Sequence, residues 1–329
     1  MGVLRKNRSF ILVPTAPFHF DGTFHKPSHF PAGMDDWQPG IYWQSIRIGS
    51  RIGSRTGSKL IGLRIEDCGR RRSPKLKVTT FCNRRLDDGE IRRLGQEIRW
   101  RFDLDADLRE FNRRAARDRR FGPVFRQWLG MRVSNAYDLY GLLVVGVVLQ
   151  NATVRRTVQM MKALLEAFGT RLRFDGKELF AMWLPADLES VSEQQLRAMR
   201  IGYRAKSIKR LSADFAAGVI DERALRSMGK QDARDELMKL YGVGPETARI
   251  VMADALHDYG AFDHVAPWQQ KIYSRLFYDR AMVPANRIRD DIRAQYGEYA
   301  MLAVHYIWED IFWKRTTERI PWLEKEIRL

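Results

Sequence analysis

Leu237-Met-Lys-Leu-Tyr-Gly-Val-Gly-Pro-Glu-Thr-Ala-Arg-Ile-Val-Met252 is the most informative segment of the chain. One helix ends near Leu240, Gly242 and Gly244 make a tight turn, and Pro245 opens a second helix, where its missing N–H costs nothing and its fixed φ suits the first turn. Two glycines let an anion approach the backbone closely. The free amides of Gly244, Glu246 and Thr247 would then point at it from a helix N-terminus, a phosphate clamp that reads no sequence. The plain alternative is an αα-hairpin whose glycines only make the turn.

Outward from this segment the chain divides near residue 100. Residues 9–99 are rich in Gly, Pro, Ser and aromatics, and YWQSIRIG (42–49), KLIGLRIED (59–67) and LKVTTFC (76–82) read as antiparallel strands between turns. RIGSRIGSRTGS (47–58) reads as a basic hairpin loop and RRRSPK (70–75) as another loop. Beyond residue 100 the apolar spacing turns helical, with helices expected over 105–111, 135–149, 153–168, 192–199, 205–215, 232–240, 245–256, 269–277 and 299–316. The expected class is α+β: a basic, β-rich domain over 1–100, then an all-helical body over 101–329.

The 329 residues are 45% hydrophobic and 11% aromatic, enough for a sizeable core. Lys and Arg number 57 against 40 acids, a formal charge of +17 that points to a polyanionic partner. The excess is uneven, for residues 1–100 carry 19 Lys and Arg against 9 Asp and Glu. The other reading is a solvated basic surface. Cys68 and Cys82 are too few for a four-thiolate zinc or iron–sulfur site, and the longest apolar run, 140–149, is half of what spans a bilayer. A cytoplasmic protein with no membrane partner is expected.

The leucine before the turn, the G-V-G spacing and the T-A after it together resemble the helix-hairpin-helix of the DNA glycosylase superfamily, whose hairpin is followed by a Gly/Pro-rich loop and an aspartate. The resemblance spans nearly the whole chain. VVLQNATVRRTVQMMKALLEAFG (147–169), Gly202-Tyr-Arg-Ala-Lys206 and YGEYAMLAVHYIWEDIFW (296–313) are similar to segments of the 8-oxoguanine glycosylases. PFHFDGTFHKPSHFP (17–31) and YWQSIRIG resemble the small β domain, of the TATA-binding-protein type, that 8-oxoguanine glycosylase and 3-methyladenine glycosylase II carry. It implies a monomer acting on double-stranded DNA that holds a damaged or modified base, without an iron–sulfur cluster, and with a monovalent cation possible on the carbonyls of Met238, Leu240 and Val243.

The family cleaves an N-glycosidic bond through an oxocarbenium-like transition state, which a nearby carboxylate stabilises. Aligning the helix through Lys271, Ile272 and Arg275 places Ala266 where that aspartate belongs. Three explanations stand: an Asp→Ala knock-out, a binding homologue without chemistry, or transfer of the role to Asp263. Glu246 occupies the position of the Schiff-base lysine of bifunctional members, and a glutamate cannot form an imine, so no lyase step is expected.

Extruding a nucleotide costs a few kcal/mol, offset by filling the gap and holding the base. Asn151 matches the family's gap-filling amide, with Gln150 as the alternative and a helix N-cap as a second role for Asn151. Tyr203 and Arg204 are expected to press on the estranged partner base. The base pocket is expected to draw on Trp308 as a stacking ring, with Trp268, His305, Ile250, Ser28 and Phe30 around it. The residues that would read 8-oxoguanine are absent, since Ile250, Trp268 and Val304 stand at the family's cysteine, histidine and glutamine positions. Arg113, Arg114, Arg117, Arg119 and Arg120 read as a basic helix that tracks phosphates.

Overall fold

The computed structural model describes residues 2–49 and 58–327, so the basic loop read at 47–58 lies largely outside the described residues. Among the described residues the strands are β1 (Gly2–Val3), β2 (Lys6–Leu12), β3 (Asp35–Gln38), β4 (Ile41–Ile48), β5 (Lys59–Asp67), β6 (Leu76–Phe81), β7 (Thr170–Phe174) and β8 (Lys177–Ala181). Five form an antiparallel sheet in the order β2-β6-β5-β4-β3. β5 shows the two-residue period that places it there: Ile61, Leu63 and Ile65 are wholly buried on one face.

That face is covered by a helix, Asp88–Arg101, which the strand-and-turn reading of 9–99 does not foresee. Its signal is present in the sequence. Asp87 and Glu90 form a capping box, and Ile91, Leu94 and Ile98 follow at helical spacing. Gly89 and Gly95 hide the pattern. The lobe's core runs on to Phe102 and Leu104.

The remainder is helical, as expected, with one hairpin added. β7 and β8 pair antiparallel, and β1 joins β7 in parallel, so the N-terminus of the chain closes a second, three-stranded sheet. Helices Gly122–Gln127 and Ala285–Tyr296 are also additions to the sequence reading. The central helix, Leu139–Leu149, is apolar on nearly every face because it is buried on nearly every face. Around it pack Met160, Leu164, Ile208, Leu211 and, from the segment quoted first, Leu237, Leu240, Val243, Ala248 and Val251. The hairpin is therefore anchored from below by the main core.

A second core surrounds the closing helix, Ala300–Arg315. Two arginines tie the lobes together. Arg132, with no exposed surface, donates to the carbonyls of Thr15 (2.8 Å), Pro17 (3.1 Å) and Asp103 (3.2 Å). Arg226 of the helical body forks onto Glu97 of the β-lobe helix at 2.9 and 3.0 Å.

Candidate nucleic-acid interface and base pocket

The helix-hairpin-helix is formed by Lys230–Met238 and Pro245–Asp254. Gly242 has φ +88°, and a Cβ there would stand 2.6 Å from Ser207 Oγ, so the turn needs glycine twice over. Gly244 is the N-cap of the second helix with no side-chain cap, and a Cβ built on it meets nothing within 4 Å. The first-turn amides thus open onto free space, with the partial positive charge of a helix N-terminus behind them.

Two further turns are tied to this one. Gln150 Nε2 donates to the Gly242 carbonyl at 2.8 Å, which commits its amide to the hairpin and leaves Asn151 exposed at the tip. Asn151 lies in the left-handed region, φ +49°, and Thr153 rather than Asn151 caps the following helix. Asn151 Nδ2 donates to the Tyr203 hydroxyl (3.2 Å), which in turn donates to the Gln150 carbonyl (3.3 Å). Tyr203 is 48% exposed. Arg204 corrects the sequence reading. It is buried, bonds the carbonyls of Gln150 and Ile201, and lies 4.7 Å from the Tyr203 ring centre, so it braces the turn instead of reaching out.

The basic groups beside the hairpin are ones the sequence reading missed: Lys206 and Arg210 sit over the ring of the exposed Tyr241 at 5.2 and 4.2 Å. Their i,i+4 spacing on the Arg204–Ala217 helix was the available signal. The expected basic helix is not continuous. It ends at Ala115, and Glu110 pairs with both Arg113 and Arg114. Arg120 is tied to the Phe277 carbonyl, while Arg117 and Arg119 are exposed.

Ala266, expected at the aspartate position, is buried and is the N-cap of Pro267–Tyr278. Its backbone is extended (φ −65°, ψ 148°), and its N–H donates to Gln269 Oε1 at 3.3 Å. The cap geometry is intact while the cap oxygen is missing, since alanine carries none. Asp263 is paired with Arg234 of the hairpin's first helix and so is not a free substitute. Glu246 grips Arg249 through both oxygens, at 3.0 and 2.5 Å. Arg249 is 2% exposed, and this pair is its compensation.

The pocket residues divide by helix face. Trp308, expected as a stacking ring, is half-buried and packs against Trp268 (5.9 Å), Tyr273 (5.7 Å) and Phe312 (5.1 Å). Trp268 is 51% exposed. Phe30 is another correction, being packed on the main core. Ile250 is half-buried on the hairpin's second helix. His305 and Ser28 do meet across the lobes, through partners the sequence reading missed. Lys26 Nζ donates to the carbonyls of Gly22 (2.6 Å) and Arg132 (2.7 Å) and lies 3.0 Å from His305 Nε2, and the Ser28 hydroxyl donates to Glu309. His29 is exposed at this seam, yet burial among surrounding protein and the charges of Lys26 and His25 push its ring down to about 4. Near it, burial raises Asp254 to about 7 and lowers Lys26 to about 8. The signal for Asp254 and Glu309 was a carboxylate inside an apolar run, MADAL and IWEDIFW. A separate cavity of about 120 Å³, lined by Arg47, Glu97, Arg101 and Arg226 among others, includes none of these residues.

An antiparallel β lobe followed by a helical body that carries a glycine hairpin is an architecture found among DNA glycosylases. No protein-family model matches the chain. It is 28% identical over 222 residues to the DNA-3-methyladenine glycosylase of Bacillus subtilis (strain 168), covering 64% of this chain and 70% of that one. It shares its fold with the 3-methyladenine DNA glycosylase from Archaeoglobus fulgidus (TM-score 0.73, 14% identity, 92% of this chain and 99% of that one). The same holds for Clostridium acetobutylicum 8-oxoguanine glycosylase/lyase in complex with dsDNA containing cytosine opposite to 8-oxoG (TM-score 0.67, 20% identity, 95% and 98%). The relatives it matches and the solved structures that share its fold are thus DNA glycosylases, in line with the resemblance carried by the hairpin.

Proposed function

We propose that this chain binds duplex DNA at a damaged or modified nucleotide, extrudes the base toward the seam between its lobes, and is built as a hydrolytic glycosylase without a lyase step. The observation that carries the reading is the junction of three turns: open amides at Gly244, the Gln150 tie to the Gly242 carbonyl, and Asn151 against Tyr203. The amides hold a phosphate while Asn151 and Tyr203 fill and flank the gap left by the base. A hard monovalent cation on the carbonyls of Met238, Leu240 and Val243 belongs to the same reading. Glu246 cannot act as an amine nucleophile, so water is the attacking group.

Ala266 favours a second reading, a DNA-binding protein that recognises modified or distorted duplex without cutting it. One experiment separates the two. Ala266→Asp, incubated with host and phage genomic DNA, is expected to release a base detectable by mass spectrometry and to leave an abasic site without strand cleavage. Tight binding of a duplex carrying a tetrahydrofuran abasic analogue with no base released by the variant supports the binding protein. Strand cleavage at the site would overturn the hydrolytic assignment.

A further inference from the structure

Arg93, Glu97 and Arg101 recur every four residues on the β-lobe helix Asp88–Arg101 and so share one face. Across from them stand Arg223 and Arg226 of the short helix Glu222–Ser227 in the helical body, and Arg47 of β4. Together they line the cavity of about 120 Å³ between the lobes, where the described residues set five guanidinium groups against two carboxylates, Glu97 and Asp138. That is room for one small molecule, since a cavity of roughly 150 Å³ admits a single benzene.

The carboxylates are already spent. Glu97 accepts from Arg101 Nε (2.7 Å) and from both terminal nitrogens of Arg226 (2.9 and 3.0 Å), and Asp138 accepts from the Gly141 N–H (2.8 Å). Glu222, which also holds Arg226, accepts from the Leu139 N–H (3.1 Å), and Asp187, whose charge reaches Arg47, accepts from the Leu184 N–H (2.8 Å). Donors are what remain. Arg101 is only 7% exposed; its Nε and Nη1 are bonded to Glu97 and to the Ala136 carbonyl, and its Nη2 has no hydrogen bond among the described residues. Arg226 Nε is left without a partner, and the exposed side chains of Arg93 and Arg223 make no hydrogen bond or ion pair among the described residues. A cavity whose acceptors are satisfied and whose donors are not selects a ligand that accepts.

We propose that this cavity binds a phosphate-class oxyanion, either the free ion or a backbone phosphate of bound DNA, and that the anion ties the β lobe to the helical body. The arginine fork matches phosphate oxygens, and donors that arrive from three elements suit a tetrahedral anion better than a planar carboxylate. Burial pulls the Arg47 guanidinium below its ordinary value in spite of Asp187 and Asp138, so the acids present do not fully compensate the cations. The site shares no residue with the hairpin or with the Lys26 seam, and the inference does not depend on the glycosylase reading.

The test titrates the full chain with sodium phosphate at constant ionic strength in a calorimeter, with succinate as the planar dianion. The native chain is expected to bind phosphate saturably and succinate about tenfold more weakly. Arg93→Gln and Arg223→Gln are each expected to weaken phosphate binding about tenfold, the loss of one charge-assisted contact, while the thermal midpoint without phosphate stays unchanged and reports that each variant is folded. Repeating the titration with the chain saturated by the tetrahydrofuran abasic duplex separates the two sources. Undiminished phosphate binding identifies a free ion; its loss, together with weaker duplex binding by both variants, identifies a backbone phosphate. Absence of saturable phosphate binding by the native chain, an affinity that survives both substitutions, or succinate binding as tight as phosphate would overturn the site and leave the glycosylase reading standing.

Discussion

Two glycines two residues apart carry opposite burdens. Gly242 is held at φ +88° against Ser207, so Gly242→Ala forces a β-carbon into both a left-handed backbone and an occupied site. It is expected to lower stability by about 2 kcal/mol or more, read from a chemical denaturation midpoint. Gly244 has neither constraint, so Gly244→Ala is expected to change stability by no more than about 1 kcal/mol. Its methyl group instead fills the space where a phosphate would sit, and binding of the abasic duplex is expected to weaken at least tenfold. Equal affinities for native and Gly244→Ala chains would remove the phosphate clamp from the mechanism. The motif made the turn legible; that one glycine serves the fold and the other the ligand was decided by Ser207, 35 residues upstream and visible only in three dimensions.

Within the hairpin's second helix, the reason for glutamate at 246 is local and electrostatic. Arg249 is buried on that helix, and Glu246, one turn before it, supplies both oxygens of a fork. Glu246→Lys, which restores an amine at the family's lyase position, removes that compensation and adds a like charge one turn away. The expected outcome is a loss of about 3 kcal/mol in stability and no imine trapped by borohydride on an abasic duplex. The double change Glu246→Lys with Arg249→Leu is expected to recover most of the stability. If the single variant is as stable as the native chain, the pair does not hold the helix. The E-x-x-R spacing was readable, but the burial that gives it weight was not. The Asp88–Arg101 helix shows the converse, since its capping box was present in the text and was masked by two glycines inside an otherwise strand-like domain.

Across the whole molecule, affinity for DNA is expected to depend on salt because phosphates are neutralised by cations as well as by amides. The logarithm of the binding constant should fall by about 0.9 per log salt for each cation contact. Lys206→Ala and Arg210→Ala, beside the hairpin, should each reduce that slope by about one. A slope near zero in the native chain would sink the charged groove. The basic excess of residues 1–100 is partly spent within the fold, as Arg8 with Asp88, Arg64 with Glu66 and Asp175, and Lys59 and Arg84 with Glu90 show. Net charge therefore overstates the surface available to a polyanion.

By itself the sequence determined the order of the lobes, the strands with two-residue periodicity and the hairpin, because these are carried by local spacing and turn chemistry. Only the tertiary structure decided which side chains are free to act. Arg204 fits the expected motif yet is buried in bracing its turn, while Lys26 and Glu309 match no motif and meet His305 and Ser28 at the seam between the lobes. Local pattern fixes what a residue can do; burial and the partners brought by distant segments fix whether its polar atoms are already satisfied, and an unsatisfied one is what a ligand can find.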